Sequence, residues 1–346
     1  MPRKTISAVI TNYNYGSYVV QAIDSVLGQN IRFDQVIVVD DGSTDNSLLK
    51  INQYADRVEI VAKPNGGQHT ARMAGLEKAS SDYVFFLDAD DFLHSEFTSA
   101  IHKALESNPV KVQMQMISVD GQGKLMDSIW PTYPENYASA DMIQDNIALG
   151  FYMCPPTSAN VFRRDVLLAM DLNRLGPGES IDGQPALAIP YFGEVVSYNQ
   201  ALTYYRIHGA NHSQWYRPDP KLFQFEVDWF NQRWVDTCMI LNRQSPPFGD
   251  ETPAYVLERQ LMSWALGSGR GGPGLILKFI RRLAQSRMAM KQKLMLTGWA
   301  LAMVAPSARI RRSLVEARRS PTNRSALFNH LLGLVLGRRA PPAPAA

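Results

Sequence analysis

The sequence predicts an α/β protein built on a mostly parallel central sheet with helices on both faces, followed by a helical extension. Three observations predict it. The first hundred residues alternate strand-like and helix-like segments; the strand-like segments are continuous apolar runs, as in buried parallel strands; and beyond residue 216 the strand signal fades. In order, "TISAVI" (5–10) is β-branched and apolar, and Asn12-Tyr13-Asn14-Tyr15-Gly16 breaks it. Helical spacing of Val19, Val20, Ile23, Val26 and Leu27 marks 17–29 as a helix. "QVIVVD" (35–40) is the second strand, and Ser43-Thr44-Asp45 supplies residues suited to start a helix. "RVEIVA" (57–62), "GQHTARMAGLEKAS" (67–80) and "DYVFFLD" (82–88) complete strand, helix, strand. From 110 to 215 the pattern is mixed and broken by Pro131, Pro134, Pro155 and Pro156, with "IPYFGEVVSYNQALTYYRIHG" (189–209) read as a helix end and two short strands. Segments 220–242, 253–267 and 275–304 read as helices, and "PPAPAA" as a disordered end. The division expected is an α/β domain over 1–215 and a helical, basic extension over 216–340.

A 45% apolar fraction in 346 residues supports a sizeable core, and Cys154 and Cys238 are too few for a disulfide framework or a cysteine zinc site. The Met1-Pro2-Arg3-Lys4 start does not read as a signal peptide, and the expectation is a cytoplasmic protein. Residues 275–346 hold 14 Lys and Arg against one acid, Glu316, while the rest holds 21 bases and 31 acids, a net of −10. An acidic body with a basic end points to an anionic surface for that end, such as a membrane or nucleic acid. Of these the expectation is a membrane, with a peripheral position on its inner face, and the alternative is that the basic helices only pack on the α/β domain. No run of 18 apolar residues is present, and "LMLTGWALAMVA" (294–305) is too short to span a bilayer but suits its interface.

Ligands of open α/β sheets bind beyond the carboxyl ends of the strands. Those ends read Thr11-Asn12-Tyr13, Asp40-Asp41-Gly42-Ser43, Lys63-Pro64-Asn65-Gly66-Gly67 and Asp88-Ala89-Asp90-Asp91. A nucleotide base needs a carboxylate for its N–H and an aromatic face, and a diphosphate needs a divalent cation on hard oxygens. The loops carry all of these pieces. Each piece alone has an ordinary reading: Asp-Gly-Ser-Thr-Asp as a turn and cap, Asp-Ala-Asp-Asp as the cap of a helix near Ser95, Tyr13 as packing. Their gathering at one sheet edge favours a site.

In its motifs "VITNYNYGSYVVQAIDSVLGQ", "VIVVDDGSTDNS", "NGGQHTARMAGLEKASSDYVFFLDADDF" and "YYRIHGANHS", the chain resembles the inverting family 2 glycosyltransferases of GT-A fold. The resemblance covers 5–110 strongly and 150–215 moderately; Met73 stands where the family usually has Asn. It implies a nucleotide-diphospho-sugar donor, UDP-linked, with Thr11, Asn12, Tyr13, Asp41, Asn65, Arg72 and Asp88 around it. It places Mn²⁺ or Mg²⁺ on Asp90, Asp91 and His208, and offers Arg206 as a phosphate partner. It also implies that Asp182, or Glu179 as second choice, takes the proton of the acceptor hydroxyl, the acceptor being a glycan or a lipid-linked glycan. The rival readings are a nucleotidyltransferase making nucleotide-sugars and a non-catalytic module with an acidic pocket. No G-x-G-x-x-G follows the first strand, which disfavours a dehydrogenase.

Overall fold

The computed structural model describes residues 3–172, 183–208, 219–269 and 271–319. Its strands are β1 (Ile6–Asn12), β2 (Gln35–Asp40), β3 (Glu59–Ala62), β4 (Tyr83–Asp88), β5 (Phe92–Leu93), β6 (Lys111–Val119), β7 (Leu125–Trp130), β8 (Asn160–Arg163) and β9 (Val195–Arg206). They form one sheet in the order β3-β2-β1-β4-β8-β6-β9-β5, with β7 also pairing β6. β3, β2, β1 and β4 run parallel, as their continuous apolar runs predict. β8 then enters antiparallel between β4 and β6, and β9 returns parallel to β6. The helices are α1 (Val19–Leu27), α2 (Ser47–Ile51), α3 (Gln68–Lys78), α4 (Phe97–Ala104), α5 (Ser139–Leu149), α6 (Arg164–Ala169), α7 (Gln184–Ala188), α8 (Pro220–Ile240), α9 (Ala254–Ala265), α10 (Pro273–Gln285), α11 (Met290–Ala302) and α12 (Ala308–Arg319).

Three local expectations are revised. α2 begins at Ser47 and not at Ser43, because side chains take the intervening amides first. Asp40 accepts from Ser43 N–H (3.0 Å), Asn14 from Thr44 N–H (2.7 Å) and Asp45 N–H (3.2 Å), and Asp45 then accepts from Ser47 N–H (2.9 Å). The two short strands expected after residue 189 are one strand, β9, whose register against β6 skips at Asn199 and Gln200 and again at Leu202. The long helix expected over 275–304 is two, α10 and α11. Ser286 turns to an extended conformation, and Arg287 N–H donates to Asp145 at 2.6 Å.

The chain divides into two compact units, Met1–Ile143 with Met153–Asn211 and Arg233–Pro246, and Gln144–Tyr152 with His212–Gln232 and Pro247–Ala346. In the first, Ile10, Val38, Phe85 and Leu87 are fully buried with Val19, Ala22, Ile23 and Val26 of α1, whose spacing of three and four gives the helix one apolar face. On α3, a Cβ at Gly75 would lie 2.2 Å from Val9 Cγ1, so the helix packs on β1 at backbone distance. Gly75→Ala is therefore expected to cost about 1–3 kcal/mol, read as a lower urea midpoint at unchanged slope.

The second unit has a core of Phe223, Leu257, Leu261, Phe279, Leu283, Trp299, Leu314 and Val315. Beside it lies a buried ion cluster. Arg259 bridges Glu226 (2.9 Å) and Glu258 (2.6 Å), Arg318 pairs with Glu258 (2.7 Å), and Arg319 pairs with Glu226 (2.6 Å). Several bases that a sequence count assigns to the surface are thus neutralised inside. Among the described residues no helix is long and apolar enough to cross a membrane.

Candidate active site

The chain fills β1, β2 and β3 outward on one side and then crosses to β4 on the other side of β1. The carboxyl ends of β1 and β4 therefore flank the switch point where such sheets bind ligands. Thr11 and Asp88 are register partners there, with Thr11 Oγ1 3.5 Å from Asp88 Oδ1. The buried guanidinium of Arg72, carried by α3, donates to the same Asp88 oxygen at 2.7 Å, and Gln68 Nε2 lies 3.3 Å from it. Asp88 remains 25% exposed and open to the crevice.

The Asp41 carboxylate is buried at the end of β2. It accepts from Gly66 N–H (3.1 Å) and Gly67 N–H (2.8 Å) and pairs with the Lys63 ammonium. Gly42 permits this approach: its φ is +73°, and a Cβ there would sit 2.6 Å from Asn65 N. Asn65 is exposed on the facing loop. Tyr13 is 45% exposed, its ring available for stacking. Asn12 is buried, its amide donating to Asp40 (2.8 Å) and Ser43 (3.0 Å), so it ties the two loops together.

The acids after β4 have distinct places. They do not cap the next helix, since β5 intervenes and α4 starts only at Phe97. Asp91 is buried and accepts from Arg206 N–H at 3.0 Å, fixing the end of β9. Arg206, expected to meet phosphate, points inward instead. It donates to the Asp90 carbonyl (2.7 Å), the Gly121 carbonyl (3.1 Å) and Gln21 Oε1 (2.6 Å), and its guanidinium lies 4.7 Å over the Tyr18 ring. Two residues on, His208 Nε2 lies 3.1 Å from Asp90 Oδ2. Its ring stacks on Tyr18 (5.2 Å) and meets the edge of Tyr15 (5.6 Å). Sequence reasoning missed Lys63, Gln68, Tyr15 and Tyr18, although both tyrosines stand in the quoted "NYNYGSY" stretch.

The electrostatics of this edge are those of excess negative charge. Burial, then Asp88, pushes the Asp90 carboxyl above its ordinary value, with His208 opposing. Burial, then Asp90 and Asp88, pushes Asp91 well up. Burial and the same acids raise the Tyr15 phenol. A divalent cation fits the exposed part of this set. Asp90 and His208 present an oxygen and a nitrogen close together, and Asp88 adds a second accessible carboxylate. Among the described residues no group of three or more acids, histidines or cysteines is placed to hold a metal ion together, so the protein side of such a site is the Asp90–His208 pair. One or two protein carboxylates suffice for a cation that also takes substrate phosphates and water. Asp182 and Glu179 lie outside the described residues.

Residues 7–168 match the family described as Glycosyl transferase family 2. That stretch belongs to this family. The chain is 34% identical over 218 residues to an uncharacterized glycosyltransferase of Nostoc sp., covering 60% of this chain and 66% of the relative. It is 30% identical over 152 residues to the poly(ribitol-phosphate) beta-N-acetylglucosaminyltransferase TarP of Staphylococcus aureus, covering 42% of this chain and 46% of that protein. The matched stretches thus span less than two thirds of either relative. The crystal structure of S. aureus TarS 1–349 in complex with UDP-GlcNAc superposes with a TM-score of 0.52 at 16% identity over 91% of each chain, a likeness of fold. The family 2 architecture here is of GT-A type, with the helices of the second unit following it. His208 and Arg206, which complete the acidic edge, stand beyond the family match.

Proposed function

We propose that the protein transfers a sugar from a nucleotide-diphospho-sugar, UDP-linked, to a hydroxyl of a glycan or lipid-linked acceptor, with inversion. The observation that carries the reading is the Asp90–His208 pair beside the open Asp88, at the switch point of a family 2 sheet. The names of the relatives support a UDP donor: TarS is described with UDP-GlcNAc and TarP as an N-acetylglucosaminyltransferase.

In this reading Tyr13 stacks on the base, and the Asp41 carboxylate, held by two amides and Lys63, accepts from a ring N–H. Thr11 and Asn65 border the same pocket, while Asn12 keeps its two loops together. Arg72 orients Asp88 toward the ribose or the sugar. Asp90 and His208 would hold Mn²⁺ or Mg²⁺, and Asp91 keeps His208 in reach by anchoring the end of β9. When bound, such a cation stabilises the negative charge that builds on the leaving diphosphate. Asp182 takes the acceptor proton. The new C–O bond then forms at the anomeric carbon opposite the breaking bond to diphosphate, which inverts that carbon. The protein works at the cytoplasmic face of a membrane, with 275–346 toward the anionic surface.

The test separates base from donor site. Asp182→Asn is expected to lower transfer roughly 10²–10⁴-fold. Calorimetric binding of UDP with Mn²⁺ should stay at the wild-type level. Glu179→Gln should have a far smaller effect; the reverse ranking would make Glu179 the base, and two active variants would remove both.

A further inference from the structure

Helix α11 carries apolar side chains on opposite sides, a pattern that normally means burial all round. One side is covered: Leu296, Trp299, Ala300 and Met303 are buried in the core of the second unit, with Trp299 Nε1 donating to the Leu314 carbonyl at 3.0 Å. The other side is open. Met290, Leu294 and Leu301 are 67%, 65% and 52% exposed, and Val304 just beyond the helix is 57% exposed. Their spacing sets the three helical residues within about 40° of one another around the helix axis. Lys291 stands exposed on one flank; on the other, Lys293 donates to the carbonyls of Ala284 (3.2 Å) and Ser286 (2.6 Å). On α10, Leu277 is 66% exposed with Lys278 exposed beside it.

The distribution of the bases selects the occupant. Arg282, Arg318 and Arg319 pair with Glu251, Glu258 and Glu226, so they are engaged within the unit. Lys278, Lys291, Arg309 and Arg312 remain exposed. A narrow apolar stripe rimmed by cations on a helix about 20 Å long complements a layer with acyl chains below and phosphates above. We propose that α11 lies in the headgroup layer of an anionic bilayer, with Met290, Leu294 and Leu301 inserted and Lys278 and Lys291 among the lipid phosphates. This sharpens the membrane position assigned above to named residues, and it is independent of the transfer chemistry.

The test is sedimentation of the full chain with vesicles of phosphatidylcholine, alone or mixed with phosphatidylglycerol, at about 0.15 M salt. Neither donor nor acceptor is present, so failure of the transfer reaction leaves the readout intact. The wild-type chain is expected to bind the mixed vesicles and leave the neutral ones. M290S/L294S/L301S should weaken that binding at least about tenfold. Its thermal midpoint should be unchanged, because all three positions are exposed. K278Q/K291Q should weaken binding to mixed vesicles by about fivefold per charge. No binding by the wild-type chain overturns the proposal. Unchanged binding by the triple serine variant overturns it too, placing the contact elsewhere in the chain. If that variant instead turns a wild-type dimer into a monomer, the stripe belongs to a second copy and the bilayer assignment fails.

Discussion

Asp90→Ala is expected to lower sugar transfer by roughly 10²–10³-fold, with loss of the Mn²⁺ dependence of UDP binding. The carboxylate is the accessible one of the buried pair and the one within reach of His208. On the proposed reading, removing it takes away a hard oxygen ligand where leaving-group charge has to be met. The substitution should leave the fold in place, because Arg206 is tied to the backbone carbonyl of residue 90 and not to its side chain. The loss should therefore appear in titrations with UDP and metal and not in the unfolding midpoint. His208→Ala should be milder, raising the metal concentration needed for half-maximal activity. Mn²⁺-dependent UDP binding at the wild-type level in Asp90→Ala would take Asp90 out of the site.

In the second unit, Glu258→Ala is expected to cost about 1–3 kcal/mol, since it removes the carboxylate that Arg259 and Arg318 share, while Arg259 keeps Glu226 at 2.9 Å and Arg318 stays partly open to solvent. Burial alone would push the Glu258 carboxyl up, but Arg318 and Arg259 outweigh it and hold its pKa below the ordinary 4.5. The folded value lies below the unfolded one, so the contribution is fully present above pH 4.5 and is lost as pH falls through the folded pKa. Denaturant midpoints measured from neutral pH downward should fall through that range in the wild-type chain. Glu258→Gln should flatten this acid limb. Parallel acid limbs for the two proteins would mean that the Glu258 pKa is the same in the native and the unfolded chain.

The parts of the fold legible in the sequence are those decided by local pattern. The apolar runs ending in Asp40 and Asp88 mark parallel strands, and the polar residues behind them mark the loops of the site. β8 was not legible: "NVFR" is too short for a periodic signal, and its place between β4 and β6 depends on pairing across 47 to 80 residues. Side-chain direction was not legible either. Arg206 sits in a stretch that reads as a phosphate contact, yet three carbonyl or amide oxygens and an aromatic face draw its guanidinium inward. Asn12 reads as a ligand contact for the same reason, since nothing local reveals that Asp40 and Ser43 need its amide. The β9 skip follows from ladder geometry at Asn199 and Gln200, which sequence alone renders as a break.

The bond from Arg206 N–H to Asp91 joins residues 115 apart, and that from the Arg206 guanidinium to Gln21 Oε1 joins residues 185 apart. Ribosomes add about 5–20 residues per second, so a nascent chain emerges with β1 to β4 and the nucleotide loops roughly 6 to 23 seconds before Arg206 is made. During that interval Asp90 and Asp91 have neither the guanidinium nor the imidazole that later face them. The newborn protein can thus assemble the Thr11–Asp41 part of the sheet edge early, while the Asp90–His208 part waits for β9. Translation products that stop short of residue 206 are accordingly expected to be inert as transferases.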